Sequence, residues 1–185
     1  MTPYEMIAQG IGIAAMIFNI LSYQNKSHSR VIAFQLCGGF LFAINFFMLG
    51  ATMGGILNVI GVIRALVFLN REKTKAEHPA WLIGFTLVFL STYVMTFTVF
   101  AKEFNLYNAV IELLPVIGMT AGTQSFRCKE AKYIRRYGMI SSPCWLIYNI
   151  CNFAVGAIIC EVFSICSIII GMIRLDRKPR KDPAA

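Results

Sequence analysis

Three ionisable side chains interrupt long apolar stretches of the chain: Arg64, Glu112 and Glu161. An ionisable group near the centre of a membrane helix costs at least about 2.5–3.5 kcal/mol, so each requires a partner or a function. Glu112 lies three residues before Pro115. Because proline removes a backbone donor, the helix can bend there, which makes Pro115 a candidate hinge. A carboxyl beside a hinge suits solute binding or proton coupling.

The alternative role for Glu112 is structural, as one half of an ion pair with Arg64. Counted in residues, Arg64 lies about 9 Å and Glu112 about 16 Å from the basic ends of their apolar stretches. An arginine side chain is long enough to bridge that difference, and the sequence leaves both roles open. Gly118 and Gly122, one turn apart in the same stretch as Glu112, are typical of close helix packing.

A second group of polar residues shares one helix face. Trp145, Asn149 and Asn152 are spaced i, i+4 and i+7, which places them on one side of a helix. An indole and carboxamides can stack on a small polar solute and hydrogen-bond to it. Buried asparagines also bond across membrane helices, so interhelical packing is the alternative. Asn45 is the weaker counterpart in the first half of the chain.

The composition requires a membrane to position these residues. The chain has 185 residues, of which 57% are hydrophobic and 14% charged, against about 45–50% and 25% in soluble domains. A chain of this size cannot cover so many apolar side chains with polar ones. These fractions exclude a cytosolic enzyme, a nucleic-acid-binding module and a disordered chain, and they indicate a multi-pass membrane protein.

Seven apolar stretches are long enough to cross a bilayer, at about 17–25 residues each. They lie at residues 7–23, 31–49, 54–70, 81–100, 104–123, 137–153 and 156–173. Of the 17 lysines and arginines, 15 fall in four of the intervening segments. These basic segments are 24–30, 71–80, 124–136 and 174–185, and the first three are predicted to be loops. They alternate with segments almost free of positive charge, and this alternation predicts an N-terminus outside and a cytoplasmic C-terminus. The net charge of +8 is therefore interpreted as a sign of membrane topology and not of nucleic-acid binding.

The chain also contains a weak internal repeat. Asn45 in the second stretch matches Asn149 in the sixth, and Gln24 and Gln124 each precede a basic segment. Residues 1–73 and 104–177 are therefore predicted to be three-helix repeats. The linker 74–103 carries the fourth helix, and 178–185 form a cytoplasmic tail. Three crossings invert a copy and the inserted helix restores its direction, so the fold is predicted as all-α, 3+1+3, with parallel repeats.

This 3+1+3 pattern resembles the SWEET transporter superfamily, also called PQ-loop or MtN3-like. The strings Glu-Leu-Leu-Pro-Val-Ile-Gly at 112–118, Pro-Cys-Trp-Leu-Ile-Tyr-Asn at 143–149 and Ala-Gln-Gly at 8–10 resemble the bacterial inner-membrane YgjV family, largely of unassigned function. The Pro-Gln dipeptide of the PQ-loop group is absent.

The resemblance to SWEET transporters implies roles for three residues. Asn58 fits a substrate-contacting asparagine, and Trp145 fits the stacking tryptophan. Glu161 stands where those transporters have a second asparagine, which favours a cationic, amine-bearing or proton-linked solute.

These features predict a small-solute transporter of the bacterial inner membrane that works by alternating access. Its expected partners are the bilayer, a small polar solute and further copies of itself, but no nucleic acid. We expect no enzymatic activity or catalytic residue, because no histidine lies within an apolar stretch to act as a base. The six cysteines form no Cys-x-x-Cys motif, so no metal or other cofactor is expected. The alternative is a non-transporting scaffold or regulator with the same fold.

Overall fold

The computed structural model describes residues 3–48, 52–151 and 155–176, and within these the chain is entirely helical. Eight helices follow one another in the described residues: α1 (Pro3–Ser22), α2 (His28–Met48), α3 (Thr52–Leu69), α4 (Arg71–Thr74), α5 (Pro79–Thr98), α6 (Leu106–Arg127), α7 (Ala131–Cys151) and α8 (Val155–Leu175). Every predicted apolar stretch overlaps one of the seven long helices.

Within the described ranges, four segments are long and apolar enough to cross a bilayer: His28–Met48, Pro79–Thr98, Leu106–Arg127 and Ala157–Leu175. Shorter apolar segments lie in α1 and α3, at Met6–Ser22 and Gly55–Leu69. Four spans are thus supported by length and hydropathy. The seven-span topology and the orientation of the chain ends stay predictions, and Asn152 and the tail 178–185 lie outside the described residues.

The basic segment 124–136 was predicted as a loop, and this is wrong for most of its length. α6 continues to Arg127 and α7 begins at Ala131, so only residues 128–130 connect them. The physical reason is that Arg135, inside α7, is buried against Asp176 and does not face water as a loop arginine would. A further short helix, α4, lies in the predicted loop 71–80.

The long helices form two groups of three. In the first group α2 packs between α1 and α3, and in the second α7 packs between α6 and α8. Between the groups, α1 contacts α8, α2 contacts α7, and α3 contacts α6. Helix α5 packs against α6, with the rings of Phe85 on α5 and Phe126 on α6 both against Phe68 of α3, at 6.4 and 6.0 Å between centroids.

Large apolar side chains cover the outside of this bundle. Ile17 and Leu21 are each about half exposed on one face of α1, and Ile83 and Leu87 are more than half exposed on α5. Water would penalise the exposure of so many large apolar side chains, whereas lipid tails solvate them. The packing therefore agrees with a protein embedded in a bilayer.

The two groups are tied together at one end, which we call the basic end because the basic segments converge there. Gln24 Nε2 donates to the Ser167 carbonyl at 2.7 Å and to its Oγ at 2.9 Å. Ser167 Oγ in turn donates to the carbonyl of Ile20 at 2.6 Å. These bonds join the end of α1 to α8.

Arg135 at the basic end is buried, with 2% of its surface exposed. Its guanidinium pairs with Asp176 and donates to the carbonyls of Tyr23 and Asn25 at 3.3 and 2.8 Å. Arg135 therefore joins α7, the end of α8 and the end of α1. We call this arrangement the Arg135 latch.

A more exposed ion-pair cluster lies beside the latch. Glu77 pairs with Lys129 at 3.1 Å and with Arg71 at 3.2 Å. The hydrogen bond from Lys129, with the positive charge of Arg71, holds the pKa of Glu77 below its usual range. Arg71 also donates to the carbonyl of Arg127 at 3.1 Å, so this cluster connects α4 to the end of α6.

Candidate functional site

A cavity of about 570 Å³ runs between the two helix groups. Its polar lining includes Gln9, Asn19, Tyr23, Gln35, Asn45, Asn58, Ser141, Ser142, Trp145, Asn149 and Ser164. Among the described residues, its charged lining consists of Arg64 and Glu161. This volume lies within the range of small-molecule sites, about 300–1,000 Å³. Toward the basic end the cavity reaches Tyr23 and Gly138, and the carbonyl of Tyr23 accepts one of the bonds from Arg135 that join the groups.

Six of the residues predicted for the site line this one cavity: Asn45, Asn58, Arg64, Trp145, Asn149 and Glu161. They come from α2, α3, α7 and α8, and so from both helix groups. Glu112 and Pro115 are buried in α6 and are not among the lining residues. The hinge at Pro115 stays a prediction, and α6 runs through that proline without interruption.

The ion pair between Arg64 and Glu112 is wrong as a structural prediction. Glu112 pairs instead with Lys102, whose Nζ lies 2.5 Å from Glu112 Oε1. Arg64 Nη1 donates to the Met119 carbonyl at 3.0 Å and to Thr123 Oγ1 at 3.3 Å. Met119 lies seven residues beyond Glu112, or about 10 Å along α6. The guanidinium of Arg64 therefore contacts α6 about two turns away from Glu112, too far to form an ion pair with it.

The pair with Lys102 gives a first prediction, on stability. Glu112 is 8% exposed and the Lys102 side chain 33%, so Lys102→Gln leaves a buried carboxylate without its cation. We expect a loss of about 1–3 kcal/mol in the free energy of unfolding, mostly recovered when Glu112→Gln is added. Unfolding in detergent measures it, with the exposed neighbour Glu103→Gln as control. Additive losses from the two changes would contradict the pairing.

Arg64 is held over an aromatic ring and beside a glycine. Its Cζ lies 4.8 Å from the ring centroid of Phe126. A Cβ on Gly122 would come within 3.2 Å of Arg64 Nη1, so the glycine makes room for the guanidinium. Nε has no hydrogen-bond acceptor in the part of the chain that the structure describes.

Gly118 has the equivalent role for Trp145. A Cβ there would lie 3.1 Å from Trp145 Nε1 and 3.3 Å from the carbonyl of Ser141. The edge of the Trp145 ring also meets Tyr148, at 5.8 Å between centroids. The glycines predicted to serve helix packing therefore also make space for two side chains of the cavity.

A second prediction follows for Gly118→Ala. The added methyl overpacks the indole, which should cost about 1–3 kcal/mol and displace the ring of Trp145. Unfolding and tryptophan fluorescence, in a background where Trp81 is phenylalanine, measure both effects. Gly61→Ala is the matched control, because Gly61 lines the same cavity and its Cβ would meet nothing within 4 Å. Equal fluorescence in the two variants would contradict this contact.

Glu161 and Asn45 differ in the protein groups to which they are hydrogen-bonded. The Glu161 carboxyl has Ser142 of α7 as a side-chain hydrogen-bond partner, and the same serine partners the Tyr23 hydroxyl. Asn45 Nδ2 donates to the carbonyl of Ala8 at 2.7 Å, which gives Asn45 a packing role between α2 and α1. Asn149 is buried at 7% exposure.

Sequence reasoning missed Ser142 and Tyr23. Ser142 precedes Trp145 by three residues and Asn149 by seven, so the spacing that linked the tryptophan and asparagine could have included it. Tyr23 carried no comparable signal, because it stands where α1 ends. Among the described residues, no group of three or more His, Cys, Asp or Glu side chains could hold a metal ion.

These features describe an integral membrane protein with a polar cavity between two helix groups. Residues 6–179 match the family described as Imp-YgjV, bacterial inner membrane protein, and the chain belongs to this family. It is 26% identical over 161 residues to the inner membrane protein YgjV of Escherichia coli (strain K12), covering 87% of this chain and 79% of that protein. No solved structure matches the chain significantly. Its location is therefore the bacterial inner membrane.

Proposed function

We propose that this protein is a carrier of a small polar solute, and not an enzyme, and that the cavity between the two helix groups is its binding site. One observation carries the proposal: residues of both groups bring Asn58, Arg64, Trp145 and Glu161 to one cavity inside a membrane protein. A cavity between two helix groups that contact each other over limited surfaces can change its open side when the groups rock.

The proposed topology is seven spans in a SWEET-like 3+1+3 arrangement, with the N-terminus outside. The contacts between the groups support it, since exchanging α1–α3 with α6–α8 exchanges the α1–α8 contact with the α6–α3 contact. The α2–α7 contact maps onto itself. A pseudo-twofold axis along the membrane normal would produce this pattern. In this orientation the Arg135 latch closes the cytoplasmic side and the cavity opens outward.

Labelling of single cysteines tests whether the cavity admits water. In a variant without the six natural cysteines, Gly61→Cys places a thiol in the cavity, and Gly84→Cys places one on the exposed surface of α5. A Cβ at either glycine meets nothing within 4 Å, so both substitutions fit. We expect a membrane-impermeant maleimide to label Gly61→Cys from outside much faster than Gly84→Cys.

Uptake into proteoliposomes then tests transport itself, with sugars, amino acids and amines as solutes. We expect uptake of at least one class and its reduction by Trp145→Ala, which removes a stacking surface. If no class is taken up and Gly61→Cys is as protected as Gly84→Cys, the carrier proposal fails and a non-transporting scaffold or regulator remains.

A further inference from the structure

Two unpaired charges of opposite sign face the same cavity. Arg64 on α3 and Glu161 on α8 are its only charged lining residues in the part of the chain that the structure describes. They do not form an ion pair with each other, and neither pairs with any other residue that the structure describes. An uncompensated charge inside a membrane protein is costly, so both groups lack a partner that a ligand can supply.

The relative depth of the two charges follows from their neighbours on α6 and α7. The Arg64 guanidinium lies at the level of Gly122, whereas Ser141 and Trp145 lie at the level of Gly118. Glu161 is placed at that second level by its hydrogen bond to Ser142. Gly118 and Gly122 are one helical turn apart, so the two charges are separated by about 6 Å along the helix axis.

We infer that the solute of this cavity is a small zwitterion, of the α-amino acid type, whose ammonium group binds Glu161 and whose carboxylate binds Arg64. This inference rests on the proposed carrier function and specifies its substrate class. In an amino acid the ammonium nitrogen and the carboxylate carbon are about 2.5 Å apart. With a charge-assisted hydrogen bond of about 2.8 Å at each end, such a molecule spans the axial separation and leaves room for a sideways offset.

Other solute classes satisfy the cavity less well. A neutral sugar leaves both charges without a counter-ion, an amine leaves Arg64 without one, and a carboxylic acid leaves Glu161 without one. Nε of Arg64, which has no protein acceptor in the described residues, provides a donor for the second carboxylate oxygen. Trp145 supplies an apolar surface for the side chain of the solute.

Binding to the purified protein in detergent tests the inference. The twenty standard L-amino acids are screened by thermal shift, and the tightest binder is compared by calorimetry with its decarboxylated amine, its deaminated acid and glucose. We expect the amino acid to bind at least tenfold more tightly than any of these three. If the amine binds as tightly as the amino acid, or if glucose binds and no amino acid does, the zwitterion inference is overturned.

Two substitutions test which residue binds the carboxylate of the solute and which binds its ammonium group. Arg64→Gln should weaken amino acid binding at least tenfold and leave the affinity for the amine unchanged, with Arg64→Lys restoring part of the loss. Glu161→Gln should weaken the amino acid and leave the affinity for the acid unchanged. The exposed Arg136→Gln and Glu103→Gln are controls, and unfolding curves verify that each variant is folded.

Uptake of the same solutes into proteoliposomes distinguishes failure of the zwitterion inference from failure of the carrier proposal. Uptake of sugars or amines without amino acids overturns the zwitterion and leaves the carrier in place. Absence of uptake for every class, together with a Gly61→Cys thiol as protected as that of Gly84→Cys, overturns both. If Arg64→Gln and Glu161→Gln leave amino acid uptake unchanged, the zwitterion binds elsewhere. The inference that Arg64 and Glu161 bind its two charged groups is then overturned.

Discussion

Asp176→Asn should be the most destabilising single change at the basic end. It removes the only carboxylate paired with Arg135 among the described residues, and the Arg135 side chain is 3% exposed. A buried charge that loses its partner costs about 3–5 kcal/mol. The carbonyls of Tyr23 and Asn25 still accept from the guanidinium, so we expect a loss near the lower limit. Unfolding in detergent gives the value.

An exposed ion pair nearby provides the matched control. Lys132 Nζ lies 2.6 Å from Glu130 Oε2, and these side chains are 35% and 57% exposed. Exposed pairs contribute about 0–1 kcal/mol, so Glu130→Gln should change stability little. Removing both charges with Arg135→Met and Asp176→Leu should recover much of the loss. If Asp176→Asn lowers the free energy of unfolding as little as Glu130→Gln does, the guanidinium of Arg135 is solvated by water and does not depend on Asp176.

The positions of the helices could be predicted from the sequence because apolar runs of membrane length are a local signal. Loop boundaries could not be predicted so well, since charge alone suggested that 124–136 is a loop. Arg135 pairs with Asp176, 41 residues away, and no local pattern connects them. The burial of Arg135 therefore depends on tertiary packing, which the sequence does not display.

In the candidate site, too, some features could be predicted from local spacing and others depend on tertiary packing. Helical spacing placed Trp145 and Asn149 on one face, and both line the cavity. The partner of Glu112 could not be predicted, because Arg64 and Lys102 were both within reach of it by length alone. The choice depends on the level at which each side chain meets α6, and that level follows from packing. For the same reason the two charged side chains that face the cavity are those of Arg64 and Glu161, whereas Glu112 is not among the lining residues.

Gly171→Ala should open the basic end by a steric route. A Cβ at Gly171 would lie 2.5 Å from the Tyr23 carbonyl oxygen and 2.9 Å from Arg135 Cδ. The first of these is a backbone atom and cannot rotate away, so α8 must move from the end of α1. Overpacking of this kind costs about 1–3 kcal/mol, while alanine in a helix recovers about 1 kcal/mol over glycine.

The displacement of α8 should weaken the bonds from Arg135 to Tyr23 and from Gln24 to Ser167, which we propose close the cytoplasmic side of the cavity. We therefore expect Gly171→Ala to lower stability and to raise the labelling of Gly61→Cys by an impermeant maleimide applied from the cytoplasmic side. Gly84→Ala is the matched control, because its Cβ meets nothing within 4 Å, and it should stabilise by about 0.5–1 kcal/mol. Equal stability and equal labelling in the two alanine variants would mean that α8 does not press on the end of α1.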